Sequence, residues 1–140
     1  EMLEKHNQKL IAKYEEVKKN EVRFEEINTE DAEYLMVAYG LCARICHKAV
    51  NIAREKGIKV GLLRPITLFP FPTEKLYSLA DKMKLMLSVE LNAGQMVEDV
   101  RLSVNGKVPV EYYGRLGGML PNPDEIVNIL ENLINKNHAL

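Results

Sequence analysis

Three short stretches of this 140-residue sequence carry side chains that could do chemistry, and the first is Cys42-x-x-x-Cys46-His47. Zinc sites built from Cys and His need a second ligand pair at a defined spacing, whereas this chain has only two cysteines. Apolar residues recur every three or four positions around both thiols, which predicts that the thiols lie on the buried face of a helix. The histidines are scattered, and the sequence implies no carboxylate partner for them. We therefore predict no metal site and no nucleophilic catalytic set.

The second stretch is Ser88 to Gln95, where the apolar run Leu85–Val89 stops abruptly and a helical pattern follows. A buried strand that ends in polar residues and turns into a helix is how an α/β protein presents side chains at the edge of its sheet. Glu90 and Asn92 have two interpretations, which the sequence leaves open. They satisfy the free N–H groups of the following helix, or they make a polar contact to a cofactor-bearing neighbouring domain or subunit.

The third stretch is Gly114-Arg115-Leu116-Gly117-Gly118, a glycine-rich loop with a single arginine. It lacks the Gly-Lys-Ser/Thr ending of a Walker sequence and does not match GxGxxG. Such a loop could hold a carboxylate or a phosphate through its arginine, or it could simply turn the chain over the edge of a sheet.

The elements that position these stretches follow from the apolar pattern. Four short apolar runs alternate with four amphipathic helical segments, an order that predicts a mainly parallel sheet with helices on both faces. The carboxyl ends of parallel strands meet at one edge of the sheet, here called the carboxyl edge. The candidate contact residues at this edge are Gly40, Glu90, Asn92, Gln95 and Arg115.

The first 29 residues read differently from the rest. Residues 1–20 have the pattern of a charged helix with a narrow apolar stripe. Such a helix is typical of a linker that docks on a neighbouring domain or subunit, and the alternative is a helix that lies against its own sheet. Residues 22–27 begin with apolar/polar alternation and fit a short edge strand or an extended connection. We predict a linker over residues 1–29 and a compact domain over residues 30–140. The chain starts with Glu1 inside a helical pattern, which suggests a segment of a longer polypeptide.

Composition limits the remaining classes of function. The chain has 46% hydrophobic and 28% charged residues and a net charge of −1, so we expect neither nucleic-acid nor membrane binding. No apolar run approaches the roughly 20 residues of a membrane span, and no signal-peptide pattern opens the chain. Two cysteines make no disulfide framework, which indicates a cytoplasmic setting.

Several phrases, taken in order, resemble one family. In chain order, the phrases are Arg23-Phe24-Glu25-Glu26, Thr29-Glu30-Asp31-Ala32-Glu33-Tyr34, Val37-Ala38-Tyr39-Gly40 with Ala43-Arg44-Ile45, Gly61-Leu62-Leu63-Arg64-Pro65-Ile66-Thr67-Leu68-Phe69-Pro70, Val89-Glu90-Leu91-Asn92-Ala93-Gly94-Gln95-Met96 and Tyr113-Gly114-Arg115-Leu116-Gly117-Gly118. With them the chain resembles the C-terminal domain of the alpha subunit of a 2-oxoacid:ferredoxin oxidoreductase, nearest the 2-ketoisovalerate type, from about residue 20 to the end.

This resemblance implies a transketolase C-terminal domain-like fold, a three-layer α/β/α sandwich with about five strands, one of them antiparallel. Residues 22–27 or a segment near the proline-rich loop would supply the fifth strand. The resemblance also implies that the whole enzyme converts branched-chain 2-oxoacids oxidatively to acyl-CoA. Thiamine diphosphate, magnesium, iron–sulfur clusters and coenzyme A would serve the full enzyme, and ferredoxin would accept the electrons.

For this chain the resemblance implies a non-catalytic domain without a cofactor of its own. Its carboxyl edge would face other domains and subunits, and apolar loop residues such as Phe69, Phe71 and Leu120 would support a homodimer of the isolated chain. Two alternatives stay open. The chain is a self-sufficient anion- or nucleotide-binding module, or it is the equivalent domain of a transketolase or of a dehydrogenase E1 beta subunit.

Overall fold

A computed structural model describes residues 1–138 of the chain, which form five helices and five strands. In chain order these are α1 (Met2–Asn20), β1 (Phe24–Ile27), β2 (Tyr34–Val37), α2 (Gly40–Glu55), β3 (Val60–Pro65), α3 (Thr73–Ala80), β4 (Leu85–Glu90), α4 (Met96–Val104), β5 (Val110–Gly114) and α5 (Pro123–His138).

The five strands form one sheet in the order β1-β3-β2-β4-β5. Strands β2 to β5 run parallel, and β1 pairs antiparallel with β3, with Phe24 opposite Pro65 and Ile27 opposite Leu62. The prediction of a mainly parallel sheet with one antiparallel strand is confirmed, and residues 22–27 supply that strand. Because β1 is antiparallel, its first residue lies at the carboxyl edge of the sheet.

Two apolar clusters, one on each face of the sheet, make the fold a three-layer sandwich. Successive side chains of a strand point to opposite faces. Met36, Leu62 and Leu87 accordingly pack in the cluster that α2 and α5 cover. Leu35, Leu63 and Met86 pack in the cluster on the other side, beneath α3 and α4. Every residue of β2 and β4 is buried, which is why these strands read as unbroken apolar runs in the sequence.

The sheet reaches further toward the N-terminus than the predicted boundary at residue 30. Strand β1 is held by backbone pairing with β3 and by an ion pair between Arg64 and Glu25, whose nearest atoms are 3.0 Å apart. The backbone N–H groups of Ile66 and Thr67 also donate to the carbonyl oxygen of Arg23. The compact unit therefore includes the chain from about residue 23 onward.

Helix α1 has no buried residue, in keeping with its thin apolar stripe. Leu10 and Val17 are half-buried, and the ring of Tyr14 meets the ring of Phe69 edge-on, with the centroids 6.1 Å apart. The helix thus lies beside the loop that follows β3 and leaves most of its surface exposed.

Candidate functional site

The predicted convergence of strand ends is present in the structure. Strands β2 to β5 are parallel, so Gly40, Pro65, Glu90 and Arg115, which end or follow them, lie along the carboxyl edge. Two of these chain segments are bonded directly, because the backbone N–H of Arg115 donates to the carbonyl oxygen of Glu90 at 3.1 Å.

Glu90 is the centre of the site, and its side chain points into the protein. The residue is 1% exposed. One carboxylate oxygen accepts the N–H groups of Gln95 and Met96, at 3.1 and 2.7 Å. The other accepts the N–H of Val97 at 2.8 Å and the hydroxyl of Ser88 at 3.0 Å. The carboxylate thereby satisfies amides that the first turn of a helix leaves free, at the end where negative charge is stabilised.

The turn between Glu90 and α4 is fixed by Asn92. Its side-chain oxygen accepts the N–H groups of Gly94 and Gln95, at 2.8 and 3.0 Å. Gly94 has a φ of +100°, a conformation that other residues rarely adopt. Glu90 and Asn92 together therefore cap α4, and this matches the first of the two interpretations left open for them. Gln95 is exposed and gives its backbone N–H, not its side chain, to the turn.

Tyr112 and Gly114 of β5 hold this turn from the side. Gly114 begins the glycine-rich loop singled out in the sequence, whereas Tyr112 was not predicted as part of the site. The Tyr112 hydroxyl donates a short hydrogen bond to the carbonyl oxygen of Asn92. Burial and then the negative charge of Glu90 raise the pKa of Tyr112, so the phenol stays protonated as a donor. A Cβ atom added at Gly114 would lie only 2.5 Å from the carbonyl oxygen of Asn92. The close approach of β5 thus requires a glycine here.

Arg115 is paired within the chain. Its guanidinium donates to the Glu125 carboxylate at 3.2 Å, and both side chains are about one-third exposed. Glu125 lies in the first turn of α5, where a carboxylate is also favoured by the helix dipole. The arginine therefore joins the glycine-rich loop to α5, and its charge is already balanced.

The two cysteines lie on the inner face of α2, as the spacing predicted. Cys42 and Cys46 are buried and unpaired. Burial, and next the negative charge of Glu90, raise the pKa of Cys42, and burial also raises the pKa of Cys46. Both thiols therefore remain protonated, the form that is neither a good nucleophile nor a good metal ligand. Neighbouring His47 is exposed.

The described part of the chain, residues 1–138, holds no group of three His, Cys, Asp or Glu side chains arranged to bind a metal ion. A shallow cavity of about 360 Å³ lies at the opposite end of the sheet, lined by Tyr34, Lys84 and Pro109 among others, and not at the carboxyl edge. Across the same residues, no helix combines the length and the apolar character needed to cross a membrane.

Fold and edge together define the class as a transketolase-like α/β domain. A 2-oxoglutarate:ferredoxin oxidoreductase from Magnetococcus marinus, solved with 2-oxoglutarate, coenzyme A and succinyl-CoA bound, superposes with a TM-score of 0.70 and 22% identity, over 79% of this chain and 19% of that one. A split-gene transketolase, an inactive β4 tetramer, superposes with a TM-score of 0.67 and 17% identity, over 79% of this chain and 40% of that one. Both similarities concern the fold alone.

Sequence comparison identifies the family. The chain belongs to the pyruvate:ferredoxin oxidoreductase core domain II family, which matches residues 32–126. It is 47% identical over 131 residues to the ketoisovalerate oxidoreductase subunit VorB of Methanothermobacter thermautotrophicus, covering 94% of this chain and 36% of VorB. It is 51% identical over 118 residues to VorB of Methanothermobacter marburgensis, covering 84% and 33%. The family predicted from the sequence phrases is therefore confirmed.

More distant curated relatives are named for other 2-oxoacids. The 2-oxoglutarate synthase subunit KorA of Methanothermobacter marburgensis is 35% identical over 100 residues, covering 71% of this chain and 27% of KorA. The chain thus spans about a third of the length of the curated relatives it matches.

Proposed function

We propose that this chain is the second core domain of a 2-ketoisovalerate:ferredoxin oxidoreductase and contributes packing and subunit assembly rather than catalytic groups. The observation that carries the proposal is the identity of 47 to 51% with two VorB subunits over most of the chain. In such an enzyme a branched-chain 2-oxoacid is oxidatively decarboxylated to an acyl-CoA, and the electrons pass to ferredoxin.

The absence of a catalytic role for this domain is supported by how its polar groups are used. The Glu90 carboxylate is bonded to three amides and a hydroxyl, and Arg115 is paired with Glu125. A phosphate at the start of α4 would need the same amides that Glu90 occupies. The residues of the site therefore do not fit a thiamine diphosphate group, and the buried thiols of α2 do not fit an iron–sulfur cluster.

The partners we propose are the other domains and subunits of the enzyme, with ferredoxin reached only through the whole complex. Gly40 and Gln95 are exposed at the carboxyl edge, and Asn92 and Arg115 are partly exposed, so these four are the proposed contact residues. Glu90 serves the contact indirectly, by holding the turn that carries Asn92 and Gln95. The cytoplasm is the proposed location. The isolated chain is also proposed to form a homodimer through surfaces that the full enzyme would cover.

A chimeric enzyme tests this proposal. The region of Methanothermobacter thermautotrophicus VorB that matches this chain is replaced by residues 1–140, and 2-ketoisovalerate-dependent reduction of methyl viologen is measured with coenzyme A. An active chimera is expected, because the domain would pack as its relative does. The isolated chain is the control. Viologen reduction by that chain alone, or calorimetric binding of thiamine diphosphate to it, would contradict the non-catalytic role.

A further inference from the structure

The exposed apolar side chains of the domain are concentrated at one edge. Ten large apolar side chains are exposed among the described residues after α1, and eight of them follow the carboxyl ends of strands. They follow all four parallel strands and include Leu41 in the first turn of α2 and Phe69, Leu91, Leu116 and Leu120 in loops, which are 41 to 62% exposed. Single exposed apolar residues are ordinary, but eight of them at one edge of a sheet mark a contact surface.

Helix α1 extends this surface. Since β1 is antiparallel, the segment that leads into it from α1 lies at the carboxyl edge. The contact between Tyr14 and Phe69 places α1 beside the loop after β3, and exposed Ile11 lies one turn before Tyr14. The apolar stripe of α1 and the apolar loops of the edge therefore adjoin each other.

Among the described residues, the edge carries more unpaired carboxylates than unpaired cations, even with exposed Arg44 near the start of α2 included. The two arginines at strand ends, Arg64 and Arg115, each pair with a carboxylate of the same chain. The first turns of α3, α4 and α5 carry exposed carboxylates without an ion-pair partner among the described residues, namely Glu74, Glu98, Asp99 and Asp124. An edge with a surplus of unpaired carboxylates repels a free anion and attracts a basic surface.

We propose that the carboxyl edge, together with the exposed stripe of α1, docks on a protein face that is apolar at its centre and basic at its margin. This inference rests on the proposed function, because the face would belong to a neighbouring domain or subunit of the same oxidoreductase. Apolar side chains would supply most of the contact free energy, and the carboxylates would fix orientation and exclude acidic partners. Nucleotides and free phosphate are not ligands of this edge.

The test measures binding in trans. The probe is the Methanothermobacter thermautotrophicus ketoisovalerate oxidoreductase whose VorB lacks the matched region, and its Kd for this chain is measured by biolayer interferometry. Leu91→Ser with Leu120→Ser removes apolar contacts at the edge, and Leu102→Ser is the control, because Leu102 is 79% exposed on α4 away from that edge. Glu98→Lys with Asp99→Lys reverses charge at the edge. Glu30→Lys with Glu55→Lys makes the same change at the opposite end of the sheet.

We expect the double serine variant to weaken binding at least about tenfold and Leu102→Ser to leave it unchanged, since about 1.4 kcal/mol separates each tenfold step. The charge reversal at the edge should weaken binding about three- to tenfold, whereas the control reversal should not. Circular dichroism of each variant verifies that it is folded. Tighter binding after charge reversal at the edge, equal effects of the edge and control variants, or no binding of the unmodified chain would overturn the docking inference. The chimeric enzyme separates the two proposals, because an inactive chimera refutes the proposed function, whereas an active one leaves that function standing.

Discussion

Replacing Glu90 with glutamine should destabilise the protein far more than the loss of one surface charge would. The substitution keeps the shape of the side chain and removes one acceptor oxygen. In wild type the two oxygens accept four hydrogen bonds in a site that is 1% exposed. The glutamine side chain has one amide oxygen, which replaces only one of the two carboxylate oxygens. Its amide nitrogen takes the place of the other oxygen and cannot accept the backbone N–H that this oxygen accepted.

The size of the effect follows from the geometry. The best orientation keeps the bonds from Gln95 and Met96, and the Ser88 hydroxyl can rotate to accept from the new amide. The N–H of Val97, which lies 2.8 Å from a carboxylate oxygen in wild type, is then left without a partner. An unsatisfied buried donor costs about 1–3 kcal/mol, and the lost charge at the helix start adds about 0.3–2 kcal/mol. We therefore expect Glu90→Gln to lower the free energy of unfolding by roughly 1–5 kcal/mol.

Urea unfolding followed by far-UV circular dichroism measures this loss. With a slope of about 2 kcal/mol per molar urea, the midpoint should fall by roughly 0.5–2.5 M. Glu98→Gln is the matched control, because Glu98 lies in the first turn of the same helix but is exposed. It should cost less, since no buried donor loses its acceptor. Equal losses in the two variants would refute the view that Glu90 acts as a buried helix cap.

Three further predictions concern other contacts. Gly114→Ala should lower the free energy of unfolding by about 1–3 kcal/mol, because the added Cβ would lie 2.5 Å from the Asn92 carbonyl oxygen; an unchanged urea midpoint would contradict this close approach. The hydrogen bond from Arg54 holds the pKa of Asp31 below its ordinary value of 3.8. The ion pair therefore stabilises the fold fully above pH 3.8, and it stabilises the fold less as the pH falls through the lowered pKa of Asp31. The difference in unfolding free energy between wild type and Asp31→Asn should accordingly shrink on acidification below pH 3.8. A difference that stays constant with pH would exclude the ion pair as its cause. The two buried cysteines should react with a disulfide reagent such as DTNB only after denaturant is added, and fast labelling of the native chain would show that α2 exposes them.

Much of the fold was predictable from the sequence, because continuous apolar runs identify β2 and β4 as strands covered on both faces. Strand β1 was harder to predict. Its residues are exposed or half-buried, and it is held by backbone pairing and the ion pair between Arg64 and Glu25, neither of which leaves an apolar pattern. The resemblance to a family, rather than the periodicity, indicated an antiparallel strand.

The site was predictable in its location and less so in its bonding. Convergence of strand ends placed Glu90 near Arg115, and the backbone bond between them bears this out. Capping of α4 by Glu90 stayed one of two interpretations at the sequence level, because Glu90 binds amides five to seven residues further along the chain, beyond the spacing of ordinary N-cap residues. The bond from Tyr112 to Asn92 spans 20 residues and depends on the pairing of β4 with β5, which no local motif shows.

The position of α1 has a consequence for how domains of this family could be joined or separated. The helix has 19 residues, so at about 1.5 Å per residue it is a rod of about 28 Å that leads into the sheet at the proposed docking edge. In any polypeptide with a domain ahead of α1, this tether would hold that domain near the edge and give it a high effective concentration there. Cutting the tether would turn the contact into a concentration-dependent association between two chains and leave the surfaces themselves intact.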